Sequence, residues 1–224
     1  LEAFNYSAAH DLRTPLRAIG GFSERLLLSH GNQLDEQGRH QARRIHRAAL
    51  TMGELIEDLL DLSSIARVDL RLQRVDLSAV ATGIAAELTA NEPHRTVVFD
   101  IEDGVLAHAD PILLRAALDN LIGNAWKFTA GRPTAHIHFG TEPAARGEVA
   151  CVVSDDGAGF NPDYAQKLFE PFQRLHDASE YPGTGIGLAS VQRTIERHGG
   201  HAWAEGELDH GATIHFTIAG QEKR

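Results

Sequence analysis

His10 lies beside Asp11 in the run Ala9-His10-Asp11-Leu12-Arg13-Thr14-Pro15-Leu16. An imidazole nitrogen is a nucleophile that can take a phosphoryl group. Far downstream, Asn120, Asn124 and Lys127 are spaced four and three apart, which puts them on one helical face. Two amides and an ammonium suit a hydrated Mg²⁺ and phosphate oxygens. Asp155-Asp156-Gly157-Ala158-Gly159-Phe160 offers a carboxylate that can accept from an exocyclic amine, and glycines that let backbone approach a ligand. Gly183-Thr184-Gly185-Ile186-Gly187-Leu188 precedes a helix pattern whose first N–H groups could hold phosphates. Between the glycine clusters, Phe169-Glu170-Pro171-Phe172 reads as an apolar latch or as core packing. Singly, each cluster also fits a solvated face or a turn; the ordered set is specific.

The elements that must position these residues follow from hydrophobic period. Phe4, Ala8, Leu12, Ile19, Phe22 and Leu26, with Pro15-Leu16 in the gap, form one helical stripe. After the polar break Ser29-His30-Gly31-Asn32-Gln33, Asn32 or Asp35 can cap a second helix. That helix carries Ala42, Ile45, Ala49, Met52, Ile56, Leu59 and Leu62. The two stripes predict an antiparallel hairpin that cannot bury them alone. A dimer giving a four-helix bundle solves this, and packing on the C-terminal domain is the other solution. His10, two residues from both Ala8 and Leu12, points away from their stripe. Pro15 cannot donate to the Asp11 carbonyl, so a bend beside His10 is expected. Arg39, Arg43, Arg44 and Arg47 open the second helix; Glu54, Glu57, Asp58 and Asp61 end it, at about the level of His10. Such runs are solvated faces or docking faces.

The stripe dissolves near Ser63–Arg74, which sets expected boundaries of 1–66 for the helical domain, 67–76 for a linker and 77–224 for a C-terminal domain. There the patterns predict a short strand at Val75–Ser78, a capped helix at about Ser78–Asn91, and strands at Thr96–Ile101 and Val105–His108. Asp110 and Pro111 open a helix that runs through Ala125. Strands near 135–140, 148–154, 202–205 and 213–218, and a helix at about 187–198, complete an α+β sandwich. The Gly-rich stretch 155–187 is irregular and suits a mobile lid.

Composition narrows the classes. A net charge of −10 argues against sequence-independent nucleic-acid binding, which needs a basic footprint. No apolar run approaches the roughly 18–20 residues of a membrane span. The first residues read as the inside of a helix without a basic n-region, as in a piece of a longer protein. Cys151 is the only cysteine and sits in an apolar run, so a buried thiol and a reducing compartment are expected. His136, His138, His198 and His201 lack metal-ligand pairing and read as structural.

Taken together, the motifs resemble the catalytic core of two-component sensor histidine kinases. Residues 10–16 are similar to that family's H box, 120–128 to its N box, 155–160 and 183–187 to its glycine boxes, and 169–172 to its F box. The lid run Phe172-Gln173-Arg174-Leu175-His176, with Tyr181-Pro182-Gly183-Thr184-Gly185, is similar to the phytochrome- and PAS-linked subgroup. The resemblance implies a dimerisation and phosphotransfer hairpin followed by an ATP-binding sandwich of the histidine kinase, gyrase and Hsp90 type. It implies His10 as phosphoacceptor, Asp11 as the base that orients it, and Thr14 as the residue placing water for dephosphorylation of a partner. Asn124 would hold Mg²⁺, with Asn120 and Lys127 on the triphosphate. Asp155 would read the adenine amine, Gly157, Gly159 and Phe160 would admit the ring, and Thr213 would add a contact. Arg174 would meet the γ-phosphate, and Gly183, Thr184, Gly185, Ile186, Gly187 and Leu188 would form the phosphate loop. ATP and Mg²⁺, a second copy, an upstream sensor and a response-regulator receiver domain are the implied partners, in a cytoplasmic setting. A phosphatase-dominant enzyme, a non-catalytic nucleotide-gated dimer scaffold and a gyrase/Hsp90-type ATPase are the competing readings.

Overall fold

A computed structural model describes residues 2–65, 69–144, 148–176, 180–181 and 183–219, with side chains from residue 12 onward. The chain divides into two compact units, Leu1–Ser64 and Ile65–Arg224.

The first unit is a hairpin of α1 (Glu2–His30) and α2 (Glu36–Ile65). α1 runs through Pro15 as one continuous helix. Phe4, Ala8, His10 and Asp11 lie outside the residues whose side chains are described, so the expected outward aim of His10 falls there too. The turn is closed by Asp35, whose carboxylate accepts from Gly38 N at 2.7 Å, and by Arg39, which donates to the carbonyls of Gly31 and Leu34. Asp35 rather than Asn32 therefore begins the second helix.

Each predicted stripe divides between two faces. Leu16, Ala42, Ala49 and Ile56 are buried between the helices. Leu12, Ile19, Phe22, Leu26, Ile45 and Met52 stay between 39% and 66% exposed. Ala42, Ala49 and Ile56 recur every seven residues, as do Ile45 and Met52, so α2 carries two apolar heptad stripes, one buried and one exposed. Within the pair, Ser23 Oγ donates to the carbonyls of Ile19 and Gly20 and lies 3.3 Å from His46 Nδ1. Among the described residues, no helix is long and apolar enough to cross a membrane.

The second unit contains β1 (Gln73–Asp76), α3 (Leu77–Asn91), β2 (Val97–Ile101), β3 (Leu106–Ala109), α4 (Pro111–Phe128), β4 (Ala135–Pro143) and β5 (Val149–Asp155). A 3₁₀ helix (Pro162–Phe169), α5 (Gly187–Arg197), β6 (Ala202–Glu207) and β7 (Gly211–Thr217) follow. The main sheet has the order β2-β4-β5-β7-β6; β2 and β4 are parallel and the other pairs antiparallel. β1 and β3 form a separate antiparallel pair. Alternation turns Ile137, Phe139, Cys151, Val153 and Phe216 to one face, where Leu114, Leu118, Leu121, Val191 and Ile195 of α4 and α5 close the core with Leu77, Ala81 and Ile84 of α3.

Two local expectations change. The strand expected over 75–78 lies at Gln73–Asp76, and α3 starts at Leu77 with Asp76 as its cap, accepting from Ala79 N at 2.9 Å; Ser78 Oγ donates to Glu102 O and accepts from Val105 N. The stretch 155–187 is not wholly irregular, because Asn161 and Pro162 start the 3₁₀ helix that ends at Phe169.

Candidate functional site

α4 is capped by Asp110, which accepts from Ile112 N at 3.0 Å and Leu113 N at 3.2 Å, with Pro111 in its first turn. Its buried face carries Leu114, Leu118, Leu121 and Ala125, and this fixes the opposite placement of Asn120, Asn124 and Lys127. Lys127 Nζ donates to Asn124 Oδ1 at 3.1 Å. Asn120 faces the start of α5 so closely that a Cβ on Gly187 would lie 2.4 Å from its Oδ1. α5 begins without a side-chain cap, so its first N–H groups are left for an anion.

The loop before α5 folds against the same place. Phe172 N donates to Gly185 O at 2.9 Å, and Gly185 has φ of 77°, a conformation glycine holds without strain. Arg174 donates to the carbonyls of Tyr181, at 2.7 Å, and Gly183. A Cβ on Gly183 would be 3.4 Å from Lys127 Nζ. Burial, and then the charge of Arg174, push the Lys127 ammonium below its ordinary range. Among the described residues neither cation meets a carboxylate. Two cations sharing a site with bare helix N–H groups are complementary to a polyanion.

Asp155 ends β5 and accepts from Gly157 N at 2.9 Å. Burial pushes its carboxyl up to about 6; N–H groups of Gly157 and Ala212 oppose the rise, Asp156 adds to it, and Arg132 opposes it. A Cβ on Gly157 would lie 2.6 Å from Phe128 O, and one on Gly159 would lie 1.8 Å from Glu207 O. Neither position tolerates a side chain, so the backbone around Asp155 is drawn tight. Thr213 stands beside it, sharing a 2.9 Å hydrogen bond with Ser154.

The structure thus gathers Asn120, Asn124, Lys127, Arg174 and the 183–187 loop into one neighbourhood, with Asp155, Gly157, Gly159 and Thr213 around the end of β5. Phe160 sits in the core, packed with Phe169 and Ala204, so it supports the loop from below. Ile186 is also fully buried, and Leu188 packs on the core. Of the F-box pair, Phe169 is core and Phe172 is half exposed with φ of 67°. Thr14 is exposed on α1, one turn beyond His10. His136, His138 and His201 bond to Asp156, Asp100 and Thr217, and His198 donates to Thr194 O.

Some participants had no signal in spacing. Phe128, His176 and Tyr181 form a ring triad with centroids 5.0–5.2 Å apart, beside Lys127. His176 Nε2 donates to Gly159 O at 2.8 Å, tying the lid to the loop of Asp155. Two of these rings lie in the stretch before α5, and only three-dimensional packing brings them to Phe128 of α4.

Residues 1–67 match the family model of the His Kinase A (phospho-acceptor) domain. Residues 109–222 match that of the histidine kinase-, DNA gyrase B-, and HSP90-like ATPase. The chain belongs to the sensor histidine kinases and is a catalytic core of that family. Its ATPase-type unit is the family's ATP-binding fold. Cyanobacterial phytochrome B of Nostoc sp. is 32% identical over 220 residues, which cover 97% of this chain and 29% of that relative. The sensor protein FixL of Bradyrhizobium diazoefficiens is 30% identical, over 94% of this chain and 42% of FixL. The chain therefore spans less than half the length of either of these relatives. Among solved structures, full-length ShkA in complex with AMPPNP aligns with a TM-score of 0.68 and 25% identity, covering 100% of this chain and 47% of ShkA. The mycobacterial sensor histidine kinase MprB, at 23% identity and a TM-score of 0.57 over 67% of this chain and 100% of MprB, shares the fold.

Proposed function

We propose that this histidine kinase core moves the γ-phosphoryl group of ATP to His10 and then to an aspartate of a separate receiver domain. The observation that carries the reading is the pair of cations, Lys127 and Arg174, set beside the uncapped start of α5 with no carboxylate to satisfy them among the described residues. That arrangement asks for a polyphosphate. Asp155, at the end of β5, supplies the acceptor for an adenine amine.

In the transfer, a ring nitrogen of His10 forms the N–P bond as the bond from the γ-phosphorus to the bridging oxygen breaks, and ADP leaves. The attacking nitrogen must be unprotonated. Asp11 accepts from the other ring nitrogen and holds that tautomer. Lys127 and Arg174 take up charge on the leaving and transferring oxygens, and positioning supplies much of the rate because the transition state is loose. The site fits Mg²⁺: Asn124 offers an amide oxygen that already draws the Lys127 ammonium, with Asn120 one turn back on the same face. When bound, the ion neutralises phosphate charge and orients the triphosphate. The expected occupant of the exposed stripe Leu12, Ile19, Phe22, Leu26, Ile45 and Met52 is a second copy, which completes a four-helix bundle. Thr14, exposed one turn from His10, places water when the same hairpin dephosphorylates the receiver.

Calorimetric titration with AMPPNP tests the nucleotide half of this reading. Asn124→Ala is expected to weaken binding at least about tenfold with Mg²⁺ present and to change little without it. Equal affinity for both proteins with Mg²⁺ contradicts the assignment.

A further inference from the structure

Arg132 sits in the exposed turn between α4 and β4, and its side chain reaches three backbone carbonyls. Nε donates to Asp156 O at 2.6 Å; Nη2 donates to Gly157 O at 3.2 Å and also to Asp209 O. Asp156 and Gly157 belong to the loop leaving Asp155, whereas Asp209 lies in the turn between β6 and β7. The guanidinium therefore joins three segments that meet only around the end of β5. A planar fork of donors can serve several carbonyls at once; an ammonium is a point charge without that geometry.

Other contacts hold these segments close together. Asp209 has φ of 62°, the left-handed conformation that aspartate adopts in tight turns. Its N–H donates to Ala158 O at 2.8 Å, and Ala158 N in turn donates to Phe128 O at 3.1 Å. A Cβ on Gly211 would stand 1.9 Å from Asp155 O, so the β6–β7 turn lies directly on the backbone of Asp155. Arg132 bonds the carbonyl of Asp209 on one side and the glycine loop on the other. Its charge also favours the ionised form of Asp155.

We propose that Arg132 is the positioning residue for base recognition: it fixes the loop and turn that aim Asp155, and so sets the preference for a purine bearing an exocyclic amine. It does this without touching the nucleotide. The inference rests on the reading of Asp155 as the adenine acceptor.

The test compares ADP with purine riboside 5′-diphosphate, the same molecule without the 6-amino group, by calorimetric titration of the full chain. The unsubstituted chain is expected to prefer ADP at least about tenfold. Arg132→Ala is expected to reduce that ratio to about threefold or less, chiefly by weakening ADP. Arg132→Lys, which keeps the charge but not the fork, is expected to lower the ratio as well, and it decides the matter if the alanine variant does not fold. A purely structural role would weaken both nucleotides alike; an unchanged ratio in the variants therefore overturns the role of Arg132 and leaves Asp155 standing. Absence of any ADP preference in the unsubstituted chain overturns the reading of Asp155 itself, and the Arg132 proposal with it.

Discussion

The role proposed for Asp155 and the stability of the fold pull its carboxyl in opposite directions. Its carboxyl, raised by burial from 3.8 to about 6, holds a proton in the folded chain at pH values where the unfolded chain has lost it. The folded state therefore binds more protons between about pH 4 and pH 6, and the stability this confers is lost as pH rises through about 6. Asp155→Asn keeps an acceptor for Gly157 N–H and removes the buried charge. It is expected to stabilise the nucleotide-free chain at pH 8 by up to about 3 kcal/mol, with the advantage vanishing near pH 4, as read by urea unfolding at the two pH values. The same variant should bind ADP poorly, because its amide would present a donor to the adenine amine. In the unsubstituted chain, ADP affinity should fall as pH drops through about 6, since the base contact needs the ionised acceptor. A pH-independent affinity would remove Asp155 from the contact.

At the scale of elements, α4 is the part on which the site depends, and its start is held by more than its cap. Asp110 accepts from Ile112 and Leu113 and also from Arg71 N at 3.0 Å, while its own N–H donates to His198 Nε2 at 3.0 Å. Burial works against its charge, yet the N–H groups of Arg71, Leu113 and Ile112 and the nearby His198 outweigh it, and the carboxyl is held below its ordinary range. Asp110→Ala leaves buried N–H groups unanswered and is expected to cost about 2 kcal/mol in urea unfolding. An acid with a lowered folded pKa stabilises above its ordinary range and loses that effect as pH falls, so the cost should shrink below about pH 4. The cap and Pro111 were legible in the sequence because both act through local geometry. So were the order of strands and helices and the face shared by Asn120, Asn124 and Lys127, which depend on period alone. The exact start of α3 was not legible, because Asp76 and Ser78 can both cap a helix and only the tertiary bonds of Ser78 to Glu102 and Val105 leave that role to Asp76. Arg132, His176 and Tyr181 left no periodic trace: their partners lie in distant segments, and a turn or lid residue announces no partner.

For the whole molecule, the helical hairpin is apolar on two faces and its own partner helix covers one. Phe22 remains 66% exposed and Met52 48%. A chain that dimerises through this stripe should become monomeric at micromolar concentration when Phe22→Glu and Met52→Glu are combined, as read by sedimentation velocity, while its affinity for ADP stays within about twofold. A dimer that survives both charges would place the interface elsewhere. The central claim remains that the nucleotide site of the second unit serves the histidine of the first. Incubation of the chain and of His10→Gln with γ-labelled ATP and Mg²⁺ tests it most directly. The account predicts an acid-labile, base-stable label on the unsubstituted chain and none on His10→Gln, with equal ADP affinity in both; the same label persisting on His10→Gln would contradict it.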